Sequence, residues 1–361
     1  MSRATDGRHN ENGGSGEQRP VTIYHIAREL GISAGTVSRA LNHSNLVTPD
    51  TRERVSRTAE EMGYLKRRIR RHRGRAILNV ALFLPFGGEN YLHLFYDPAE
   101  FIHALRTGFG EVRANVITLT DTSGASIFEH KKHGQIDACV FGFTTPTPEL
   151  LAAIDDRRVP VVLINRIDSH HNYVASDHAA GMERLLAHVL EVDPHPRPCF
   201  LGLPAIPQVS ELRRDGLLRA AASRGVRFST DDTWDLGSLG EITPRFIERL
   251  LATGYDTVMC FNDVVAVYIY QCALSMGLQI PEAFSLTGFD NSPVRSLVSQ
   301  PITTVDLTVA ELGRRAGTWL RERIIERSDE PLQLQVPGAV VAGATVAPRP
   351  NRAHATGSGT G

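Results

Sequence analysis

Apolar residues near the start of the chain recur at the spacing of a short amphipathic helix. In residues 22–30 (TIYHIAREL) they stand at i, i+3, i+4 and i+7, which is the spacing of one buried helical stripe. Thr22 can cap this helix at its start, and Gly31 can supply the turn that ends it. The pattern therefore predicts a helix here, followed by a sharp change of chain direction.

A second and a third helix are predicted directly after this turn. Ser33 can cap the second helix, whose apolar residues face inward. Thr48 can cap the third helix over residues 48–62, with Pro49 at the first helical position. The arrangement is typical of a helix-turn-helix unit that reads DNA, and the outward face of its second helix consists of Ala34, Gly35, Ser38 and Arg39.

Short apolar runs alternate with helical stretches from about residue 76 onward. Runs such as AILNVALFLP, DACVFGF, VPVVLINR, TVMCFND and FSLTGFD predict strands, and residues 98–112 and 179–190 predict helices between them. This alternation indicates an α/β unit with parallel sheets covered on both faces. Ligands of such sheets bind outside the carboxyl ends of the strands. We therefore single out five polar residues near strand ends and at a helix start, namely Asn165, Asp177, Arg213, Asn262 and Asp290.

Each of these five residues also has a purely structural interpretation. Asn and Asp after a strand commonly cap the next helix, and Arg213 can pair with a surface carboxylate. Because both interpretations fit the spacing, the residues alone leave the choice open.

The formal net charge of −1 hides two parts of opposite sign. Residues 20–75 hold twelve basic and five acidic side chains, a net charge of +7, whereas residues 76–361 hold 24 basic and 32 acidic ones, a net charge of −8. The basic excess is strongest in residues 66–75, KRRIRRHRGR, which contain seven Lys or Arg and no acid. This asymmetry suits a protein with one end on DNA phosphates, although a basic run can also be a solvated linker.

The motif T-I-Y-x-I-A-x-x-x-G-I-S-x-x-T-V-S-R-x-L-N at residues 22–42, followed by TPDTRERV and EEMGY, resembles the head of the lactose-repressor (LacI/GalR) family of bacterial transcription regulators. Further family motifs follow in order: R-x-x-G at 213–216, an N-D pair at 262–263, GFDNS, and QPITTV at 300–305. The resemblance implies a small all-α helix-turn-helix head and a two-lobed α/β domain like the type I periplasmic binding proteins.

The resemblance also implies the domain organisation. We expect a helix-turn-helix DNA-binding domain at 20–64, a basic hinge at 65–75 and an effector-binding and dimerisation domain at 76–345. Its first lobe would take residues of about 76–175 and 309–336, and its second those of about 176–306 and 337–345. The polar tails, 1–19 and 346–361, are expected to be disordered.

In this family the second helix enters the major groove, which implies base contacts from Ala34, Gly35 and Arg39. The Arg39 guanidinium can pair with O6 and N7 of a guanine together. Residues that would hold phosphates and set the register are Thr22, Tyr24, Thr36, Ser38 and Asn42, for which capping and surface solubility are the alternative roles. The expected partner is a double-stranded, pseudo-palindromic operator bound by a homodimer.

The hinge departs from the family pattern. The family's hinge helix presses a leucine into the minor groove, but Arg73 stands at about that position, and Lys66 replaces the usual proline. Ile69 is the only apolar candidate for a wedge. We therefore expect this hinge to bind mainly through charge, with Arg70 and Arg71 contributing.

The resemblance places Arg213, Asn262 and Asp290 where the family's effector contacts fall, and Asp263 is expected to cap a helix instead. A carboxylate, amides and an arginine in one cleft suit a polyhydroxylated ligand, so a sugar or sugar derivative is the leading expectation. A nucleobase or a phosphorylated metabolite stays open. The stretch 86–98 and Ala342 depart from the family pattern, which leaves an effector-independent regulator as an alternative.

Other functional classes fit less well. The sequence contains no G-x-S-x-G, G-x-x-x-x-G-K-[ST] or H-E-x-x-H motif, so we expect no catalytic residues, no cofactor and no metal site, and interpret His170 and His171 beside Asp168 as a surface cluster. A solute-binding receptor is disfavoured by the head and by the polar residues 1–19. Without a long apolar run or paired cysteine spacing, we expect a cytoplasmic protein with no membrane span.

Overall fold

A computed structural model of the chain describes residues 21–41, 47–62, 64, 70–72, 75–85, 94–119, 128 and 136–348. Internal contacts divide the chain into two units, Met1–Arg68 and Ile69–Gly361, which we call the head and the body. The predicted tail at 1–19, and all but residues 346–348 of the tail at 346–361, lie outside the described residues.

The described part of the head consists of short helices around one small core. They are α1 (Ile23–Leu30), α2 (Ala34–Leu41) and α3 (Pro49–Glu61). The stripes predicted from the helical spacing meet in this core, whose buried members are Ile26, Ala27, Val37, Ala40, Leu41, Val47, Val55 and Ala59. The helix-turn-helix prediction is confirmed.

The predicted caps of the head helices are also confirmed. The Thr36 amide donates to Ser33 Oγ at 3.1 Å, and the Thr51 amide donates to Thr48 Oγ1 at 3.4 Å. Gly31 ends α1 with φ 64°, a left-handed conformation that glycine adopts without a steric penalty. Local side-chain and backbone chemistry therefore sets the starts of α2 and α3 and the end of α1.

Residues 70–72 of the basic run form a strand, at the position where members of the resembled family have a hinge helix. Strand β1 (Arg70–His72) pairs antiparallel with the start of β2 (Arg75–Phe83). Two of the hinge residues singled out above, Arg70 and Arg71, lie in this strand, whereas Ile69 and Arg73 lie outside the described residues. Among the described strands, β1 pairs with β2 alone and lies at the edge of the sheet.

The first sheet of the body is mainly parallel, as predicted. Among the described residues it contains seven strands, and β2 pairs with β1, with β3 (Arg113–Leu119) and with β4 (Ala138–Gly142). The order continues through β5 (Val161–Ile164) and β6 (Asn172–Ser176) to a late strand, β12 (Gln333–Val336). Every residue of β4 and β5 is buried, as expected for central strands covered on both faces.

The second sheet of the body is parallel and smaller. Its order is β10 (Ser285–Thr287), β9 (Thr257–Cys260), β7 (Pro198–Gly202) and β8 (Thr233–Asp235). Beside it, β11 (Thr304–Val305) pairs antiparallel with β13 (Val340–Val341). Between residues 136 and 348 the chain passes from one sheet to the other at three places, after β6, after β11 and after β12.

Helices connect the strands of both sheets and cover them. They are α4 (Pro98–Gly108), α5 (Pro148–Asp156), α6 (His178–Val192), α7 (Pro207–Arg224), α8 (Pro244–Ala252), α9 (Asp263–Ser275) and α10 (Val309–Arg321). Among the described residues, no helix is both long enough and apolar enough to span a bilayer. Cys139, Cys199 and Cys260 are buried in strands β4, β7 and β9, and none of the four cysteines of the chain forms a disulfide.

Helices α4 and α10 come together at glycines, although about two hundred residues separate them in the chain. A Cβ on Gly317 would collide with the Leu105 carbonyl oxygen and lie 3.0 Å from the Cα of Gly108. A Cβ on Gly313 would lie 2.8 Å from the Phe101 carbonyl oxygen. The two helix backbones therefore touch directly, and no side chain larger than hydrogen fits between them.

Candidate DNA-contact face and ligand cleft

The outward face of α2 is open in the head. Gly35 and Arg39 are exposed, whereas Ala34 is half-buried and packs against the head core. Arg39 Nε donates to the Gly35 carbonyl at 3.1 Å, so the guanidinium lies along the helix surface. This face presents one long cationic side chain beside a position without a side chain, which suits close approach to a base edge.

The residues predicted to hold phosphates differ in their exposure. Tyr24 is 71% exposed, the highest value among the large hydrophobic residues that the structure describes. Thr22 donates its amide to His25 Nδ1 at 3.1 Å, and Thr36 Oγ1 lies 2.8 Å from Ser33 Oγ. Ser38 is half-buried, and Asn42 lies outside the described residues. Tyr24 is thus the residue of this set that is most free to meet another molecule.

A cleft of about 340 Å³ opens in the body, among the loops that follow the strands of both sheets. Aromatic and aliphatic side chains form most of its wall, and polar groups come from a few positions only. Asn165, Arg213 and Asp290, three of the five residues predicted at strand ends, line it together with Phe95, Tyr96, Phe143, Arg166, Ile206, Val209, Phe261 and Leu307. An apolar wall with a few convergent polar groups is typical of small-molecule sites.

Arg213 is the most constrained side chain of the cleft. It is 1% exposed on α7, and its Nη2 donates to Asp290 Oδ1 at 2.6 Å. Its guanidinium also stacks over the rings of Phe289 and Phe261, with the carbon centre 3.9 Å and 4.7 Å from their centroids. These contacts hold the guanidinium plane in one orientation at the cleft wall.

Asp290 carries a buried carboxyl whose protonation depends on Arg213. Burial raises the pKa of Asp290, and the guanidinium of Arg213 opposes that rise. A side-chain interaction with Asn262 and the charge of Arg166 lower this pKa further. The buried pair forms the electrostatic centre of the site, since neither group has bulk water to solvate it.

Several cleft residues hold unusual backbone conformations. The φ angles of Phe143, Asn165 and Asp290 are 58°, 56° and 101°, in the left-handed region that non-glycine residues seldom adopt. Such conformations cost about 1–3 kcal/mol each and cluster at functional sites. In Asn165 the side chain stabilises its surroundings as well, because Oδ1 accepts from the Ser176 amide at 3.2 Å.

Arg166 and Tyr96 belong to the cleft, although the sequence analysis did not single them out as ligand contacts. Arg166 donates to the carbonyls of Asn165 and Phe143 at 2.7 Å and 2.6 Å, and burial with the nearby Arg213 lowers its pKa to about 10. Tyr96 is 2% exposed and stacks on Phe143 with ring centroids 3.8 Å apart. The available signal was its position within residues 86–98, the stretch that departs from the family pattern.

The other two residues predicted at strand ends act as helix caps and do not line the cleft. Asp177 Oδ1 accepts from the Ala180 amide at 2.9 Å at the start of α6. Asn262 Oδ1 accepts from the Val265 amide at 3.0 Å at the start of α9. The structural interpretation that the sequence left open therefore describes the local contacts of both.

Asp263 is not a helix cap, which corrects that expectation. It is fully buried in the first turn of α9, where Oδ1 accepts from Thr304 Oγ1 at 2.6 Å and Oδ2 from the Ser292 amide at 2.7 Å. Burial raises its pKa to about 8, and the charge of Asp290 adds to the rise. The sequence could not reveal this, because Asn262 and Asp263 are both good caps and only the fold shows which one is used.

The raised pKa of Asp263 predicts a pH dependence of stability. Between about pH 4 and pH 8 the folded body keeps a proton that the unfolded chain releases, so this residue's contribution to stability is full below about pH 4 and is lost as the pH rises to about 8. Asp263→Asn imitates the protonated form and should flatten this decline. Urea unfolding of both proteins at pH 5 and pH 8 measures it, and an equal decline in both would contradict the assignment.

Comparisons with known proteins agree with this architecture. Residues 22–66 match the family of bacterial regulatory proteins named after lacI, and residues 188–346 match a periplasmic binding protein-like domain. The transcriptional regulator CelR of Thermobifida fusca is 26% identical over 338 residues, which are 88% of this chain and 96% of that protein. The sucrose operon repressor of Escherichia coli is 26% identical over 327 residues, 84% of this chain and 94% of the repressor.

Solved structures show the same fold. A complex of CelR with cellobiose has a TM-score of 0.61 and 24% identity, and it covers 91% of this chain and 100% of its own. A lac repressor dimer bound to its operator and an anti-inducer has a TM-score of 0.60 and 18% identity with the same coverage. The likeness extends over the head and the body together.

Proposed function

Because the chain belongs to the lacI family of bacterial regulatory proteins, a family of DNA-binding transcriptional regulators, we propose that it is a repressor that binds a pseudo-palindromic operator as a dimer. We further propose that a small sugar or sugar derivative in the body cleft controls this binding. The observation that carries the proposal is the open face of α2, where Arg39 and Gly35 are exposed on a head with its own core.

The head alone offers little surface for sequence recognition. One recognition helix reads only a few base pairs, and useful specificity comes from two heads on half-sites about one helical turn apart. A dimer supplies this spacing, and the basic residues 66–75 supply contacts to phosphates. The expected operator therefore has two-fold symmetry.

The cleft supports a polyhydroxylated effector. Arg213, Asp290 and Asn165 bring donors and acceptors to the cleft, and aromatic rings form part of its lining. Such groups can hold adjacent hydroxyls with paired hydrogen bonds, while rings contact the apolar faces of a sugar. A ligand that binds one arrangement of the two sheets better than another shifts the population of that arrangement, and DNA affinity changes with it.

The direct test is a selection of bound duplexes from a random pool, with wild type and with Arg39→Ala. We expect a pseudo-palindrome from the wild type, and we expect the substitution to relax selection at one symmetric pair of positions. The loss of discrimination there should be about 1–3 kcal/mol, the contribution of one bidentate arginine–guanine pair.

A matched control for this selection is Arg28→Ala, which removes the same charge from an exposed position on α1. It should leave the recovered sequence unchanged. Binding without sequence preference, or selection that Arg39→Ala leaves intact, would refute the proposed role of α2.

A further inference from the structure

We infer that the effector of the body cleft is a sugar of one ring that carries a negatively charged group, bound against Arg166 and Tyr96. The inference rests on the proposed function, because it names the chemical class of the ligand of that same cleft. A carboxylate and a phosphate ester share the chemistry that the cleft offers, and the experiment below separates the two.

The first observation is an excess of positive charge. Among the described residues, two guanidinium groups line the cleft, those of Arg166 and Arg213, and one carboxyl, that of Asp290. That carboxyl lies 2.6 Å from Nη2 of Arg213 and forms an ion pair with it. Within the described part of the chain no carboxylate lies within ion-pair distance of Arg166, whose hydrogen bonds go to main-chain carbonyls. One partly buried positive charge, that of Arg166, is therefore left for a ligand to neutralise.

His178 does not change this balance. It is 2% exposed, and its Nδ1 accepts from Arg213 Nε at 3.3 Å. Burial, together with the charges of Arg213 and Arg166, holds the pKa of His178 well below its usual range, so the ring is neutral. The burial that raises the pKa of Asp290 acts in the same direction, since it disfavours the negative form of the one carboxyl that lines the described part of the cleft.

The second observation is an unpartnered hydroxyl. Tyr96 is 2% exposed, and its hydroxyl has no hydrogen-bond partner among the described residues. The positive charge of Arg166 acts on this hydroxyl and lowers its pKa against the larger, raising effect of burial. A buried donor without a partner costs about 1–3 kcal/mol, and a ligand oxygen between Tyr96 and Arg166 would remove that cost.

The size of the cleft limits the ligand. The cleft is narrow, because its volume of about 340 Å³ includes space that is open to solvent. The ring of Tyr96 is fixed by stacking on Phe143, and Phe95 contacts Phe261 edge to face with ring centroids 6.2 Å apart. These packed rings resist displacement, so the cleft does not widen without disrupting their contacts. One sugar ring with an acid group suits this space.

The experiment uses the fluorescence of Trp234 and Trp319, the two tryptophans of the chain. Both lie in the body, so their fluorescence reports the unfolding of the body and not that of the head. Thermal unfolding of the full-length protein is followed at constant ionic strength with chloride, acetate, inorganic phosphate, glucose, glucuronate or glucose 6-phosphate. A probe at ten times its Kd raises the ratio of folded to unfolded protein about elevenfold. We expect such a rise with the acids and none with glucose, and the stronger of glucuronate and glucose 6-phosphate identifies the anionic group.

Two variants and a control locate the effect. Arg166→Gln and Tyr96→Phe should both lose the response to the anions. Tyr96→Phe removes only a hydroxyl and should keep the fold, so it tests the inference even if Arg166→Gln does not fold. Arg219→Gln removes an exposed charge from the same helix as Arg213 and should respond like the wild type.

The inference is overturned if no anion stabilises the wild type beyond chloride, if the variants respond like the wild type, or if glucose stabilises as strongly as its acids. The last outcome would leave the proposed sugar-controlled regulator intact. Failure of the operator selection would instead refute the regulator, whatever the cleft binds.

Discussion

Replacing Arg213 with methionine is expected to lower the free energy of unfolding of the body by about 3–5 kcal/mol. The substitution keeps an apolar side chain of similar length in contact with Phe261 and Phe289 but removes the partner of Asp290. The Asp290 carboxyl is then left buried without a counter-charge, which is the costly half of a broken ion pair. Urea unfolding followed by tryptophan fluorescence measures the loss.

Two further variants show whether the loss comes from the isolated carboxyl. Arg214→Met changes the next residue of α7, whose side chain is 35% exposed and pairs with Asp215, and it should cost less than about 1 kcal/mol. The double variant Arg213→Met with Asp290→Asn removes both charges and should recover much of the lost stability. A double variant that is less stable than Arg213→Met would show that packing, not charge, dominates at this site.

Gly317→Ala is expected to lower the free energy of unfolding of the body by about 2–3 kcal/mol. In an exposed helix this change stabilises by roughly 1 kcal/mol, so the expected sign is reversed. The reason is the contact of α4 and α10, where the new Cβ meets the Leu105 carbonyl oxygen and the Cα of Gly108. Both neighbours are backbone, which cannot turn aside as a side chain would. The same urea experiment measures the effect.

Gly35→Ala is the matched control for this prediction. Gly35 is also a helical glycine, but the nearest atoms to a Cβ there lie 3.7 Å away on Arg39 and Ser33. The change should therefore stabilise the head, by up to about 1 kcal/mol in calorimetry, because alanine has less backbone freedom to lose on folding. A loss of stability in both variants would mean that the close contact between α4 and α10 is not the cause.

The head could be predicted almost completely from the sequence, because its determinants are local. Ser33 and Thr48 each bind an amide three residues ahead, and Gly31 reverses the chain by its own backbone freedom. A stretch of sequence as long as a few helical turns contains all of these determinants. The strand at 70–72 was not predicted, although its partner β2 begins only three residues after it ends, because a run of arginines has no period of its own.

The cleft could be predicted only in part. The rule that ligands bind at strand ends identified Arg213, Asp290 and Asn165, which line the cleft. The same rule cannot separate them from Asn262 and Asp177, since a carboxamide or carboxylate after a strand fits a helix start equally well. The close contact of α4 with α10 could not be predicted for a related reason. The role of its glycines depends on the packing of two helices that are far apart in the sequence.

The position of β12 has a consequence for how the protein is made. This strand completes a sheet that begins at residue 70, and β13 likewise supplies the partner of β11. On the ribosome, the first sheet cannot be finished until residue 336 has left the exit tunnel, and the β11–β13 pair cannot form until residue 341 has left it. The head depends on neighbouring residues alone and can fold as soon as it emerges. A nascent chain would thus carry a folded DNA-binding head for most of its synthesis, well before the body that is proposed to control this head has folded.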